Sequence, residues 1–366
     1  MATLAVANQI FRQLRDGRVP VGRTTYVAVP GNEMARWLLP AASPEIGSVL
    51  ASWAPYRLWP RVAWTAVRAA SQLGRASEIP GASVLEVEGT RGTDWESLGW
   101  RGVEQPIPVI YLGTPGPRRK AVVHLVDRAS RGCKAVVKVP LTDEATIAVL
   151  REAEALEALA TERHEFSPRL LHVEWARGTT TQTFVEGRPG SRTLTPDCWQ
   201  LLGALALPGE TTTLAEHAET WATEISQAGN DSAASRIVAG VINDLRDDSP
   251  LPACWEHGDF TPWNIRRLTH GGCALLDWED AQRRGLPLQD AFHFLHMQDW
   301  LFGGRPKLHA ADIWEKAGEV EVPSGKIRLL EAAYLVSTYL KCVREHNHER
   351  ARFVTGTLGL RRRNAA

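Results

Sequence analysis

The chain has 366 residues, 44% of them hydrophobic and 23% charged, enough for two or three subdomains with cores of their own. Lysine plus arginine (42) equals aspartate plus glutamate (42), so no net field draws the protein toward nucleic acid or an anionic membrane, and the Arg361–Arg363 run reads as a solvated tail. No apolar stretch reaches the roughly 20 residues of a membrane span, no charged leader with an apolar core opens the chain, and five scattered cysteines without a CxxC pair argue against a disulfide framework or a zinc site. The expected location is the cytoplasm.

Residues 1–105 contain no lysine and use arginine as their strong base. The β-branched run Thr24–Val29 predicts a strand, Ile46–Leu73 an amphipathic stretch, Ser83–Val87 a second strand, and Gly89–Gly99 a loop. This region is set apart as an N-terminal extension. From Pro106 the texture changes. Val109–Leu112, Ala121–Val126 and Ala135–Val139 predict an antiparallel meander, Thr142 an N-cap, and Glu144–Ala160 a helix rich in Ala, Leu and Glu. Leu170–Trp175 and Thr180–Val185 read as two further strands, completing a small lobe over residues 106–186. Residues 187–366 are mainly helical, with helices expected at Ala215–Ala228, Ser235–Leu245, Leu288–Trp300 and Ile327–Arg344. One hairpin interrupts them, Asn264–Leu268 and Cys273–Leu276 around the turn Thr269-His270-Gly271-Gly272. A β-rich lobe with one helix, followed by a helix-rich lobe, is a bilobal α+β arrangement.

The chemistry concentrates in His257-Gly258-Asp259-Phe260-Thr261-Pro262-Trp263-Asn264 and in Leu275-Leu276-Asp277-Trp278-Glu279. Phosphoryl transfer needs a carboxylate near the attacking hydroxyl and oxygen ligands for a divalent cation. Asp259 and Asn264 can serve both needs from one irregular loop, which Gly258 and Pro262 favour. The hairpin brings Asp277, just past its second strand, alongside Asn264 at the start of its first.

These segments resemble the catalytic loop and metal-binding motif of the aminoglycoside phosphotransferase and choline kinase superfamily, small-molecule kinases related to protein kinases. The family pattern is H-G-D-x-x-x-x-N, then I/L-D-W/F-E/D. The resemblance implies a bilobal protein-kinase-like fold and the cofactors ATP and magnesium. It implies Asp259 as catalytic base, His257 as a brace of the loop, and Asn264 and Asp277 as metal ligands. It also implies a third-strand lysine paired with a helix glutamate. Lys138, flanked by Val137 and Val139, fits the lysine. Its partner is Glu152 or Glu154: Glu152 shares a helical face with Val149, Leu156 and Leu159, and the family's glutamate four residues before a leucine also selects it.

The loop Leu112–Lys120, with Gly113 and Gly116, stands where the family covers the phosphates. It is not GxGxxG, and Pro115 and Pro117 remove backbone donors; Arg118, Arg119 or Lys120 could compensate, none singled out. Thr183–Gly187 resembles the hinge, where the backbone at Phe184 and Val185 would meet the adenine. Asp290 matches the later aspartate that supports the catalytic loop. The likeness runs from about Pro106 to Trp300.

For the acceptor, Leu288–His309 is aromatic and histidine-rich (Phe292, His293, Phe294, His296, Trp300, Phe302, His309), with Asp290 and Asp299 its acids. That weighs against a polycation. Trp263, Trp278 and Trp300 would suit the C–H faces of a sugar, or else belong to the core. His293 and His296 lack a third ligand at zinc spacing. Trp53, Tyr56, Trp59 and Trp64, beside Arg57, Arg61 and Arg68, either pack on the small lobe or form a peripheral membrane contact. The expected function is an ATP-dependent kinase for a hydroxyl of a sugar or sugar-containing metabolite. An aminoglycoside antibiotic phosphotransferase and a catalytically silent nucleotide-binding regulator or scaffold are the alternatives.

Overall fold

Strands with apolar side chains on both faces need cover on both sides, and the first half of the chain supplies strands and cover together. The computed structural model describes residues 3–15, 22–89, 92–162, 165–227 and 232–365, with the side chains of 319 and 362–365 left aside. Thr90, Arg91 and Ala228, which fall in an expected loop and helix, and the side chains of Arg362 and Arg363 lie outside the described residues. The chain divides into two compact units. The first holds Met1–Pro189, Arg266–Thr269 and Ala274–Glu279; the second holds Gly190–Ile265, His270–Cys273 and Asp280–Ala366.

In chain order the first unit contains α1 (Thr3–Leu14), β1 (Arg23–Val29), β2 (Trp37–Pro40), α2 (Gly47–Ala51), α3 (Leu58–Gln72), β3 (Ser83–Glu88), β4 (Ile107–Leu112), β5 (Lys120–Val126), β6 (Cys133–Pro140), α4 (Asp143–Thr161), β7 (Leu170–Glu174), β8 (Thr179–Thr183) and β9 (Arg188–Pro189). Eight of the strands form one antiparallel sheet in the order β3-β1-β2-β4-β5-β6-β8-β7. Residues before Pro106 thus supply three strands of the sheet that the later strands continue, joined through Trp37↔Tyr111 and Leu38↔Ile110.

The two-residue period sorts the side chains. Ile110, Leu112, Ala121, Val123, Leu125, Ala135, Val137 and Val139 form one face, buried in a core with Ile10 and Phe11 of α1 and with Trp95 and Trp100. The other face carries Val27, Trp37, Leu39, Ile107, Val109 and Val126, packed with Val49 and Leu50 of α2 and Trp64 and Val67 of α3. Trp53 and Trp64 lie 5.7 and 5.3 Å from Trp37, ring centre to ring centre, so these two aromatics of the extension pack on the sheet; Trp59 is 80% exposed. Among the described residues, no helix is long and apolar enough to cross a membrane.

The second unit is mainly helical. Its elements are α5 (Pro196–Ala204), β10 (Ala206–Thr212), α6 (Leu214–Gln227), α7 (Ala233–Asp244), β11 (Leu251–Glu256), β14 (Gln282–Gly285), α8 (Gln289–Leu301), α9 (Ile327–Arg344) and α10 (His348–Ala365), while the hairpin strands β12 (Ile265–Arg267) and β13 (Cys273–Leu275) belong mostly to segments of the first unit. A three-stranded sheet β10-β11-β14 precedes α8, and β13-β12-β9 forms another small sheet. The α+β class follows: a large antiparallel sheet with α4 in the first unit, helices in the second.

Thr142 caps α4, its Oγ1 accepting the Ala145 N–H at 3.1 Å while its own O–H donates to the Pro117 carbonyl. Asp143 and Glu144 follow in the first turn, where carboxylates favour the helix N-terminus. Thr142→Ala is expected to cost about 1 kcal/mol, read as a lower urea midpoint, with Thr142→Ser retaining most of the stability. Equal midpoints for all three proteins would remove the cap from the account.

Candidate active site

Register puts two lysines on one face of the first unit's sheet. Val122 faces Lys138 and Lys120 faces Pro140, so Lys120 and Lys138 both point away from the face of Ala121, Val123, Val137 and Val139. Lys138 Nζ donates to Glu152 Oε1 and Oε2 at 2.6 and 2.5 Å and to Asp277 Oδ1 at 2.8 Å. Lys120 Nζ donates to the same Asp277 oxygen at 2.6 Å and to Glu279 Oε2. Glu152 is fully buried on α4 and also accepts the Trp278 N–H at 3.2 Å, whereas Glu154 is exposed.

Asp277 itself sits at φ +69°, in the left-handed region that aspartate tolerates better than most residues. Burial alone would push its carboxyl up; the two ammonium groups more than reverse this and hold it well below the ordinary carboxylate range. Burial likewise works against the charge on Lys120, but Asp277, Glu279 and Glu152 outweigh it and keep its ammonium above the ordinary range. Glu279 is pushed up to about 7, by burial first and by Asp277 second, against the pull of Lys120.

Lys120 is the member of this cluster that sequence reasoning left unselected among three basic residues; its place at the first position of β5, two residues before the partner of Lys138, is the signal that distinguishes it. Trp278 is fully buried, donating Nε1–H to the Leu275 carbonyl at 3.1 Å and stacking on Phe166 at 6.2 Å. It belongs to the core and offers no face to a sugar.

Gly113 donates its N–H to the Lys120 carbonyl at 2.8 Å, and a Cβ there would stand 2.7 Å from that oxygen, so the glycine closes the β4–β5 hairpin. Gly116, at the exposed tip, has open space about it. Phe184 and Val185 follow β8 and are half-buried; the Phe184 N–H donates to the Lys134 carbonyl at 3.1 Å. The Phe184 ring meets His124 edge-on at 6.1 Å, and burial pushes His124 down to about 4.

In the second unit the loop after β11 is held from within. Asp259 N–H donates to His257 Nδ1 at 3.2 Å, with His257 fully buried. Asn264 donates its side-chain N–H groups to the Asp259 carbonyl at 3.0 Å and to Asp259 Oδ2 at 2.8 Å, so its amide oxygen is the side-chain atom left to accept. Gly258 has φ +76°, and a Cβ there would stand 2.6 Å from the Asp280 carbonyl, so the turn into Asp259 admits only glycine. Asp290, in the first turn of α8, accepts the His257 and Gly258 N–H groups at 2.7 and 3.0 Å. His293 Nε2 lies 3.1 Å from Asp259 Oδ1. The Asp259 side chain remains 33% exposed. Trp263 and Trp300 are half-buried, Trp300 lying 5.5 Å from Phe353. Among the described residues, no group of three or more His, Cys, Asp or Glu is arranged to hold a metal ion.

The half-buried Glu256 and the buried Asp290 form an acid pair beside this loop. Burial pushes both up, and each raises or is raised by neighbouring negative charge; Asp290 takes two backbone N–H bonds, so Glu256, pushed up to about 8, keeps the proton. The folded chain then retains a proton that the unfolded chain, at the ordinary value of 4.5, has released, so this group weakens stability as pH rises from about 5 to about 8. Glu256→Gln is expected to match the wild type at pH 5 and exceed its Tm at pH 8 by about 2–4 °C per kcal/mol recovered. A Tm difference independent of pH, by calorimetry, would contradict the protonated glutamate.

A family model described as the phosphotransferase enzyme family matches residues 116–320. Among solved structures, the choline kinase LicA from Streptococcus pneumoniae is similar over 68% of this chain and 92% of its own, at 15% identity and a TM-score of 0.48. The macrolide 2'-phosphotransferase MphH from Brachybacterium faecium is similar over 68% and 91%, at 15% identity and 0.48. A thermostable mutant of the aminoglycoside phosphotransferase APH(4)-Ia is similar over 70% and 94%, at 14% identity and 0.48. Among curated proteins nothing matches the chain. The family match spans more than half of the 366 residues and includes HGDFTPWN and LLDWE, so the chain belongs to the phosphotransferase enzyme family and is an ATP-dependent phosphotransferase acting on a hydroxyl group.

Proposed function

We propose that the protein is a small-molecule kinase that phosphorylates a hydroxyl of a sugar or sugar-containing metabolite, with Asp259 as the base and magnesium held by Asn264 and Asp277. The observation that carries the reading is the convergence of Lys120 and Lys138 on Asp277, backed by the buried Glu152. Two ammonium groups and an ionised carboxylate on one face of a sheet are the donors and the ligand that a triphosphate and its cation require.

The donor set suits magnesium. Asp277 offers a carboxylate held in its ionised form, and Asn264, its N–H groups spent on Asp259, offers an amide oxygen; both are hard oxygen donors. When bound, magnesium neutralises charge between the phosphates. Lys138, fixed by Glu152, and Lys120 would each donate to phosphate oxygens, with Gly113 and Gly116 in the hairpin above them. The backbone at Phe184 and Val185 would receive the base. Asp259, its carboxylate oriented by Asn264 and partly open to solvent, would take the hydroxyl proton as the oxygen attacks. His257 and Asp290 keep the backbone of that loop in place.

The acceptor reading rests on charge. Lys341 and Arg350 both lie within the field of Asp259. The neighbouring acids are occupied: Asp280 by Lys341 at 2.7 Å, Glu331 by His296 at 3.1 Å, and Asp299 by His309 at 2.9 Å. Arg350 near the base, with Asp280 neutralised by Lys341, disfavours a polycationic aminoglycoside and suits a neutral hydroxyl compound.

Asp259→Asn is expected to lower turnover by at least about 100-fold while magnesium-ATP binding, followed by calorimetry, stays within about twofold. Wild-type turnover in that variant would remove Asp259 from the role of base. ADP release measured over a panel of sugars, aminoglycosides and amino alcohols should rise with neutral sugars; a response confined to aminoglycosides would overturn the acceptor class.

A further inference from the structure

We propose that His293 is a positioning residue for phosphoryl transfer, fixing the carboxylate of Asp259 from the same face of α8 that anchors the catalytic-loop backbone. The inference rests on the role proposed for Asp259.

Asp290 and His293 stand three residues apart on α8, so their side chains leave the helix on one face. Asp290 takes the N–H groups of His257 and Gly258, and His293 Nε2 reaches Asp259 Oδ1 at 3.1 Å. One rigid helix therefore holds three consecutive residues, two by backbone and the third by side chain. Asn264 donates to the other carboxylate oxygen at 2.8 Å. With one donor on each oxygen, rotation of the carboxylate about its last bond would break a hydrogen bond, and each oxygen keeps a lone pair for an incoming proton.

The imidazole is itself fixed. It is buried, and its ring meets Tyr334 of α9 edge-on at 5.9 Å and 90°; Tyr334 in turn stacks on His296 at 5.2 Å and on Phe292 at 6.3 Å. Burial, more than the nearby Arg350 and Lys341, pushes His293 down to about 4, against the raising effect of Asp259. At neutral pH the ring is uncharged, and an acceptor-only carboxylate oxygen requires its single N–H on Nε2. His293 then orients the carboxylate without bringing a full positive charge to it. The loop supplies the donor at Oδ2 through Asn264, and the contact at Oδ1 comes from His293 on α8.

The test uses the full chain with magnesium-ATP, water as the basal acceptor, and the most active sugar of the panel. His293→Ala is expected to lower kcat about 10-fold or more, the scale of a lost orienting hydrogen bond, with KM for ATP within about twofold. His293→Gln, which keeps an N–H donor, should recover about a third or more of the lost rate. An unchanged kcat in His293→Ala, or equal loss in the alanine and glutamine variants, would overturn the proposal. Nitrogen-15 NMR of the imidazole gives a readout besides activity: a slowly exchanging Nε2–H is expected in the wild type and its loss or shift in Asp259→Ala. If no acceptor is phosphorylated while that NMR signature holds, the reading of Asp259 as a base fails and the His293 contact stands. An Nδ1–H tautomer, or a signal indifferent to Asp259→Ala, overturns the contact itself.

Discussion

The candidate site in the first unit is built around charge that has been largely taken out of water. Lys138 and Glu152 are 6% and 0% exposed, and Asp277, Lys120 and Glu279 join them within hydrogen-bond distance. Removing a lysine and a carboxylate from water costs several kcal/mol per ion, and an apolar pair of the same volume would serve stability as well or better. Such a cluster is therefore poor evidence for stability and good evidence for a ligand. Its groups also compensate one another. Lys120 and Lys138 are matched by Asp277 and Glu152, and Glu279, held near 7, is the acid that tips the balance as pH changes. Phosphate oxygens could replace carboxylate oxygens at the ammoniums, and a divalent cation could replace the ammoniums at Asp277. The exchange leaves no buried charge without a partner.

The second unit solves a different problem, which is to hold an irregular loop still. Residues 257–264 make few of the repeating bonds of a helix or strand, so their backbone groups must be met individually. Asp290 meets two of them, His257 Nδ1 a third, and the Asn264 side chain reaches back to the Asp259 carbonyl. Phe260 is fully buried against Phe294 of α8, so the same helix that supplies Asp290 also takes the loop's apolar anchor. The left-handed Leu288 that precedes α8 is the cost of aiming the helix in this way.

What was legible in the sequence follows from the range of each interaction. Strands such as Ala121–Val126 and the helix Glu144–Ala160 carry their own period and cap, and the structure has them within a residue or two of the expected bounds. Helix α1 was not read, although Val6, Ala7, Ile10, Phe11 and Leu14 share one buried face, because no capping residue announces it. The strands β10, β11 and β14 were missed for another reason. Gln282–Gly285 is a polar tetrapeptide whose strand state is imposed by pairing with Cys254 and Glu256, a tertiary effect with no local signature. Within the candidate site, motif order pointed to Lys138 and Glu152. Lys120 needed the register of β5 against β6, and His293 needed the distance from α8 to Asp259. Neither is written in the spacing of residues along the chain.

The first hundred residues, which carry none of the family's motifs, are best understood through one row across the sheet. Trp37, Tyr111, Val122, Lys138 and Thr180 stand directly opposite one another on β2, β4, β5, β6 and β8. Lys138 is the only ionisable member apart from a tyrosine, and its position depends on strands that must not slip by a residue, since a slip of one turns every side chain to the other face. Without β2, strand β4 would be an open edge, the weakest place in a sheet for register and the most prone to pair with another chain. The extension moves that edge three strands outward. There β3 presents Glu86 and Glu88, bonded to Thr25 at 2.7 Å and Arg23 at 3.0 Å on β1, and charged side chains of this kind discourage further pairing. Trp37, packed among Trp53, Trp64 and Tyr111, then pins the first member of the row in a well-filled core. A region that carries none of the family's motifs can in this way set how precisely Lys138 is held, through backbone pairing and packing alone.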